Sequence, residues 1–407
     1  ERLIGECETV LERIKRGIDT VCDETKPDIA LAFCFANKAV DLQSRWARDG
    51  QGMVYRPFQL AYILMCIESL VNKESEHRNF CDLMWVPTGT GKTEAYLALA
   101  VFTMAYRRRL ALGGDGERTG AGVSIITRYT LRLLTIQQFR RTLSIITAAE
   151  LLRVNNLSDR NRIGWRPETW TRDENFIWGS SQFSVGLWIG GGATPNHLKN
   201  VSYVDGSGKT KTDPGAIEIL KGEHTGESSY GKTEPAQVVS CPCCRAQLSI
   251  TESGISSGTT IHLVVGTDTE LDISNNVGDL VDQQFNGITI TAAGSVQHAN
   301  ARFHTISLTV DLGREDITSV QVDTMWKDHI QPSLAQAGTS LELAQFRASR
   351  PGYFPRRYLD GNKPMDYDFE IFCPNPQCPL RVQWFRGSPT GSINNKNAKS
   401  HQPETHL

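Results

Sequence analysis

Apolar residues recur at helical spacing through the first fifty positions. Leu3, Ile4, Val10, Leu11 and Ile14 share one stripe and a second runs from Ile29 to Trp46, so residues 1–55 read as an N-terminal helical region closed by a loop from Gly50 to Arg56. Pro57 takes the first-turn position of a further helix that reaches about Val71. The pattern then changes. Leu83–Val86 reads as a short buried strand, and a helix runs from Glu94 to about Arg108. Val123–Thr127 is a second apolar strand, preceded by a glycine-rich loop, and a long helix follows from Thr130 to about Val154. Ser184–Ile189 is a third strand, ending in Gly190-Gly191-Gly192. Strands alternating with long helices predict a parallel α/β sheet over residues 56–200.

Beyond that point periodicity fades. Residues 197–237 are rich in Gly, Ser, Thr and Lys, and 201–240 read as a polar linker. From about 246 to 325 the pattern turns to strands: Thr260–Val265, Gly287–Thr291 and Thr305–Val310, separated by Gly, Asn, Asp and Thr, as in a small antiparallel sandwich or barrel. Residues 326–348 return to helical spacing, and 386–407 read as a flexible polar tail. There is no internal repeat.

Composition adds three constraints. At 407 residues with 39% hydrophobic and 22% charged side chains, the chain reads as a soluble globular protein of two or three domains. No stretch is long enough to span a bilayer. There is neither a secretory signal nor an initiator Met, so the expectation is a piece of a longer or processed product in a reducing compartment. The net charge of −2 is uninformative, but Val101–Ile163 holds eleven Arg against four acidic residues, a local +7 that suggests contacts to nucleic-acid phosphates.

The sharpest chemistry lies between the first strand and its helix. Pro87-Thr88-Gly89-Thr90-Gly91-Lys92-Thr93-Glu94 has the layout of a phosphate-binding loop. Glycines let backbone N–H groups turn in around a polyphosphate, Lys92 reaches the β- and γ-phosphates, and the Thr93 hydroxyl ligates Mg²⁺. A second Gly-Lys-Thr, at 208–210, runs into Lys211-Thr212-Asp213-Pro214 and cannot open an apolar helix, so it reads as a solvated loop. Upstream, Arg56-Pro57-Phe58-Gln59 places an amide where it can read adenine, donating to N7 and accepting from N6. After the second strand, Thr127-Arg128-Tyr129-Thr130-Leu131-Arg132 opens a helix, a corner suited to a nucleic-acid phosphate. The Gly190-Gly191-Gly192-Ala193-Thr194 corner allows a second close approach.

Ten cysteines fall into two groups. Cys7, Cys22, Cys34, Cys66 and Cys81 lie among apolar residues and read as buried thiols. Cys241-Pro242-Cys243-Cys244 and Cys373–Cys378 look like two knuckles of one structural Zn²⁺ site, with Cys241, Cys244, Cys373 and Cys378 as ligands and Cys243 able to replace either neighbour. The interval of about 128 residues predicts a zinc ribbon flanking an inserted β domain within 241–385. The histidines show no metal-binding spacing and receive no role.

Gln59, the loop at 87–93, Thr127-Arg128 and the glycine corner at 190–192 occur in the order of superfamily 2 helicases. Arg56–Leu60, Pro87–Tyr96, Arg128–Phe139 and Gly186–Gly190 resemble the helicase subunits of the DISARM phage-defence system. The resemblance implies a first RecA-like ATP-binding domain, ATP and Mg²⁺ as ligands, and nucleotide contacts from Arg56, Gln59, Thr88, Gly89, Thr90, Gly91, Lys92, Thr93 and Glu94. It implies DNA-backbone contacts from Arg128, Tyr129, Thr130, Arg132, Gly190, Gly191 and Thr194. It further implies a bacterial cytoplasmic protein working on DNA with a DrmB-like second subunit, apart from any membrane. One departure stands out. No Asp-Glu-x-His or Asp-Glu-x-Asp follows the third strand, so the acidic pair that holds Mg²⁺ is missing, as is a second RecA-like domain. Two rival functions follow: a nucleotide-gated DNA sensor without turnover, and a phosphate-loop ATPase that remodels protein.

Overall fold

The computed structural model describes residues 2–112, 120, 122–129, 132–155, 162–179, 181–189, 194–223, 233–298, 300–335, 340–360 and 363–381. The expected tail, 386–407, lies outside them. The chain divides into two compact units, 1–186 and 187–407.

The first unit is helical. Its helices are α1 (Arg2–Cys22), α2 (Pro27–Ala47), α3 (Pro57–Val71), α4 (Lys92–Leu112) and α5 (Arg132–Arg153), with a 3₁₀ turn at Glu76–Asn79. The proline-led starts of α2 and α3 follow from the locked φ of Pro, which suits the first helical turn. At α3 the Gln59 side chain reaches back to accept from the Arg56 backbone N–H at 2.8 Å, satisfying a group that precedes the first turn. The core joins Ile29, Phe35, Ile67, Val101, Phe102, Ile145 and Trp178, all nearly inaccessible. The rings of Trp178 and Phe35 lie tilted at 39° with centroids 4.1 Å apart, and the Trp178 indole N–H donates to the Trp165 carbonyl at 2.7 Å. Helix α1 meets α3 where glycine is required: a Cβ on Gly17 would lie 1.9 Å from the Leu64 carbonyl oxygen.

The three segments expected as strands, 83–86, 123–127 and 184–189, carry no ladder hydrogen bonds among the described residues. They are extended rather than paired. Met84 and Val185 pack on the helical core, whereas Leu83, Trp85, Val123 and Ile126 are 78%, 89%, 75% and 85% exposed. The helices cover one side of 83–86 and hold 123–127 through Arg107, while the apolar side chains of Leu83, Trp85, Val123 and Ile126 meet solvent. A parallel sheet is therefore not formed by the described residues.

Among its described residues the second unit contains three antiparallel sheets. The first is a hairpin of β1 (Val201–Val204) and β2 (Thr210–Asp213), followed by helix α6 (Ala216–Lys221), so part of the expected linker is ordered. The largest has the order β4-β5-β6-β3-β7, from β3 (Thr259–Thr267), β4 (Gln284–Phe285), β5 (Ile288–Gln297), β6 (Phe303–Asp311) and β7 (Leu341–Leu343). Alternation sets its faces: Ile261, Leu263 and Val265 on β3 and Ile306, Leu308 and Val310 on β6 turn to one core. That core is closed by α7 (Ser274–Gly278), α8 (Ser319–Met325), a π turn at Trp326–Ile330 and α9 (Gln331–Leu334). The expected β region is thus antiparallel as read. The helix expected at 326–348 starts earlier and stops at Leu334, because Leu341–Leu343 pairs with β3 instead. A third sheet pairs β8 (Tyr353–Asp360) with β9 (Lys363–Ile371).

Candidate nucleotide site and metal centre

The loop from Pro87 to Gly91 turns directly into α4 at Lys92. Gly89 and Gly91 hold φ of +79° and +95°, the left-handed region that glycine adopts without strain. Gly91 is also sterically fixed, since a Cβ there would meet Gln59 Nε2 at 2.6 Å and Glu94 Oε2 at 3.1 Å. The Thr90 hydroxyl donates to the Pro87 carbonyl at 2.8 Å, and Thr88 and Gly89 face solvent. The Lys92 ammonium curls over its own loop, donating to the Val86 and Pro87 carbonyls at 2.7 and 2.8 Å. Thr93 is half-buried on the first turn. A cation and the N-terminal N–H groups of a long helix thus converge on one loop, an arrangement suited to an anion.

Gln59 joins α3 to this loop. It is buried, its Oε1 accepts from Arg56 and its Nε2 donates to the Gly91 carbonyl at 2.7 Å. Both ends of the amide are thereby held by backbone. Glu94 pairs with Arg141 from α5, while its Oε2 is buried without a partner among the described residues. Nothing in the residue order pointed to Arg141, because the pairing is set by how α5 packs against α4. Burial raises the Tyr129 phenol, with Arg141 and Tyr96 close enough to act on its charge. Arg128 beside it is exposed. Thr194 is half-buried in the second unit. Thr130, Gly190, Gly191 and the side chain of Arg132 lie outside the described residues.

Among the described residues, five arginines of the Val101–Ile163 stretch are engaged inside the first unit. Arg109 bonds Asp28 at 2.8 Å, Glu174 at 2.5 Å and the Ile177 carbonyl at 2.9 Å. Arg153 pairs with Glu150 at 2.5 Å, and Arg108 donates to the Gln182 carbonyl at 3.0 Å while lying over Phe183. Arg107 donates to the Val123 carbonyl at 2.9 Å. These four, with Arg141, bind the helices and the extended segments together. Asp173 and Glu174, the acidic pair ahead of the third segment, are engaged with Arg162 and Arg109.

In the second unit Cys241, Cys244, Cys373 and Cys378 bring their sulfurs within 4.8 Å of one another. Cys241 approaches Cys378 at 3.8 Å and Cys244 approaches Cys373 at 3.4 Å. Four thiolates at Zn–S of about 2.3 Å in a tetrahedron stand about 3.8 Å apart, so the cluster has the dimensions of a structural zinc site. Two tight turns build it. Arg245 donates its N–H to the Cys241 carbonyl at 3.0 Å with φ of +66°, and Cys378 donates to the Asn375 carbonyl at 3.1 Å. Cys373 pairs with Leu380 across the second knuckle at 3.1 Å. The Cys244 thiol, bonded by Cys241, Cys373 and Cys378, is held far below the usual thiol range. Cys243 is half-exposed and outside the cluster, so of the alternatives open in the sequence the one with Cys241 and Cys244 is formed. Of the other five cysteines, read as buried, only Cys66 is buried; Cys7, Cys22 and Cys81 are exposed because their helix face or loop has no cover.

The chain thus combines a glycine-turned loop that opens a long helix at Lys92 with a β unit carrying a cysteine cluster able to hold a structural zinc. It is similar to the DISARM protein DrmA of Bacillus paralicheniformis, with 36% identity over 262 residues, 60% of this chain and 20% of that protein. The match spans about a fifth of that relative's length. No family model matches the chain and no solved structure matches it. Among the described residues no helix is long and apolar enough to cross a membrane.

Proposed function

We propose that the chain supplies the ATP-binding part of a DISARM-type anti-phage defence subunit that moves along or unwinds DNA. The observation that carries this is the loop at 87–93, with two left-handed glycines and Lys92 opening a long, buried helix. The likeness to DrmA supplies the defence setting. In this reading Lys92 moves from its two carbonyls onto the β- and γ-phosphates, and Thr93 ligates Mg²⁺. Gln59 and Arg56 lie beside the adenine, while Thr88, Gly89, Thr90, Gly91 and Glu94 form the cradle. Arg128, Tyr129, Thr130, Arg132, Gly190, Gly191 and Thr194 meet the DNA backbone. The fold completed around the extended segments is RecA-like, with 83–86, 123–127 and 184–189 as strands of a parallel sheet whose helical face is already packed. Zn²⁺ in the cysteine cluster ties the two knuckles together. DNA and a DrmB-like subunit are the partners, in the cytoplasm.

The test is ATP hydrolysis by the longest natural form of the protein, with and without single- and double-stranded DNA, beside Lys92→Ala. DNA-stimulated turnover that Lys92→Ala abolishes is the expected result. A second reading rests on the engagement of Glu174 by Arg109 and the lack of an acidic pair after the third segment. It makes the chain a nucleotide-gated DNA sensor, and ATP-dependent DNA binding without turnover would establish it instead.

A further inference from the structure

Helix α1 presents two faces, and only one is covered. Arg13 and Gly17 are buried, with Gly17 against α3. Around the cylinder from that contact, Leu3, Ile4, Val10, Leu11 and Ile18 are 74%, 63%, 41%, 52% and 43% exposed. A surface helix ordinarily turns polar residues to water, so exposed apolar residues from Leu3 to Ile18 call for a partner, while Val21 packs on the core of its own unit.

The stripe has a period. Ile4, Cys7, Leu11, Ile14, Ile18 and Val21 alternate in steps of three and four, the a and d positions of three heptads. Elsewhere on the helix Arg2 pairs with Glu6, and Arg16 with Glu12 and Glu76, while Asp19 is exposed and stands outside the a, d, e and g positions. Glu8 and Lys15 are exposed and stand in the e positions flanking the stripe. The other flank, the g positions Leu3, Val10 and Gly17, carries no charge. In a parallel pair, e positions face g positions, and neither charge finds an opposite. In an antiparallel pair, e faces e. With Leu11 set opposite Ile14 of the second helix, Cys7 falls opposite Ile18 and Glu8 beside Lys15, each twice by symmetry, while Val21 stays on its own core.

We propose that α1 is a self-association helix, and that its exposed stripe packs antiparallel on α1 of a second copy of this chain about a two-fold axis. The inference is independent of the nucleotide chemistry. Sequence matches itself here in both terms: apolar layers meet apolar layers, and the single acidic flank meets the single basic flank.

The test is sedimentation equilibrium of the 407-residue chain across a concentration series, at low and at physiological salt, with helicity followed by circular dichroism. The expected result is a dimer. Leu11→Glu should give a monomer of unchanged helicity. Lys15→Glu should weaken the dimer several-fold at low salt by setting Glu opposite Glu, and Glu8→Lys combined with Lys15→Glu should restore it. A chain that is monomeric throughout the series overturns the proposal, and the stripe then belongs to another segment or another protein. A dimer indifferent to Leu11→Glu, or one that the double reversal does not restore, overturns it equally.

Discussion

At the scale of single residues, two buried contacts decide how the first unit behaves. Arg13 on α1 makes a bidentate pair with Asp82, at 2.6 and 2.8 Å, with the Arg13 side chain 6% exposed and that of Asp82 19%. Removing one partner of such a pair strands the other charge, at a cost of about 3–5 kcal/mol. Asp82→Asn is therefore expected to lower the denaturant midpoint strongly, more than any exposed substitution on α1. The pair also sets a pH response. The Arg13 guanidinium bonds Asp82 and holds its carboxyl below the usual range, against the opposing effect of burial. A carboxyl depressed in the fold contributes its full stability above its unfolded value of about 4 and loses it as pH falls through the folded one. Stability measured from pH 6 to pH 2 should fall below about pH 4, and the Asp82→Asn variant should show a shallower fall. Gln59 is the second contact. Gln59→Ala deletes both the cap of α3 and the hold on Gly91, which together are worth about 1–2 kcal/mol. It should lower the melting temperature and weaken nucleotide binding as well, since the loop loses its brace. A variant that melts lower yet binds nucleotide unchanged would show that the brace serves the fold alone.

At the scale of elements, close approach and metal ligation matter more than propensity. Gly17 lies mid-helix, where Ala would ordinarily be favoured by roughly 1 kcal/mol. Here the added methyl would meet the Leu64 carbonyl at 1.9 Å, so Gly17→Ala should destabilise the α1–α3 contact. Loss of protection in both helices by hydrogen exchange would show it. In the second unit the two knuckles are 129 residues apart between Cys244 and Cys373, and their sulfurs share one centre. One zinc per chain is expected by elemental analysis. Cys244→Ser or a strong chelator should release it and lower the melting temperature of this unit, leaving the first unit's transition in place.

These elements also show what a sequence discloses. The helix carrying the Ile29–Trp46 stripe, the helix led by Pro57 and the strands around Ile261, Ile290 and Ile306 were legible because period and punctuation are local. The cysteine pairs were legible because ligand spacing is chemical. The partners of Arg109, Arg141 and Arg153 were not legible. A run of arginines looks the same whether it faces phosphate or the carboxylates of Asp28, Glu94 and Glu150. Strand pairing over 83–86 and 123–127, not formed among the described residues, was not legible for a different reason. An apolar run announces burial, but a ladder needs a neighbour that the run itself does not specify.

At the scale of the whole chain, those bare segments make the sharpest prediction. Leu83, Trp85, Val123 and Ile126 are each at least 75% exposed, while Met84 in the same run packs on the helical core. Extended backbone with unpaired N–H groups and an apolar outer row is a template for further strands. In the 407-residue chain the amides of 83–86 and 123–127 should exchange with solvent within the fastest class, because no ladder bonds hold them among the described residues. In a polypeptide of the relative's length, of which the match covers 20%, the same amides should become protected if the segments enter a RecA-like sheet. Hydrogen exchange read by mass spectrometry on both forms distinguishes the outcomes. Protection gained at 83–86 and 123–127 together would tie the phosphate loop to a completed parallel sheet. Persistent exchange in the longer form would show that the loop at Lys92 works from a helical frame, and the translocase reading would then lose the fold on which strand movement depends.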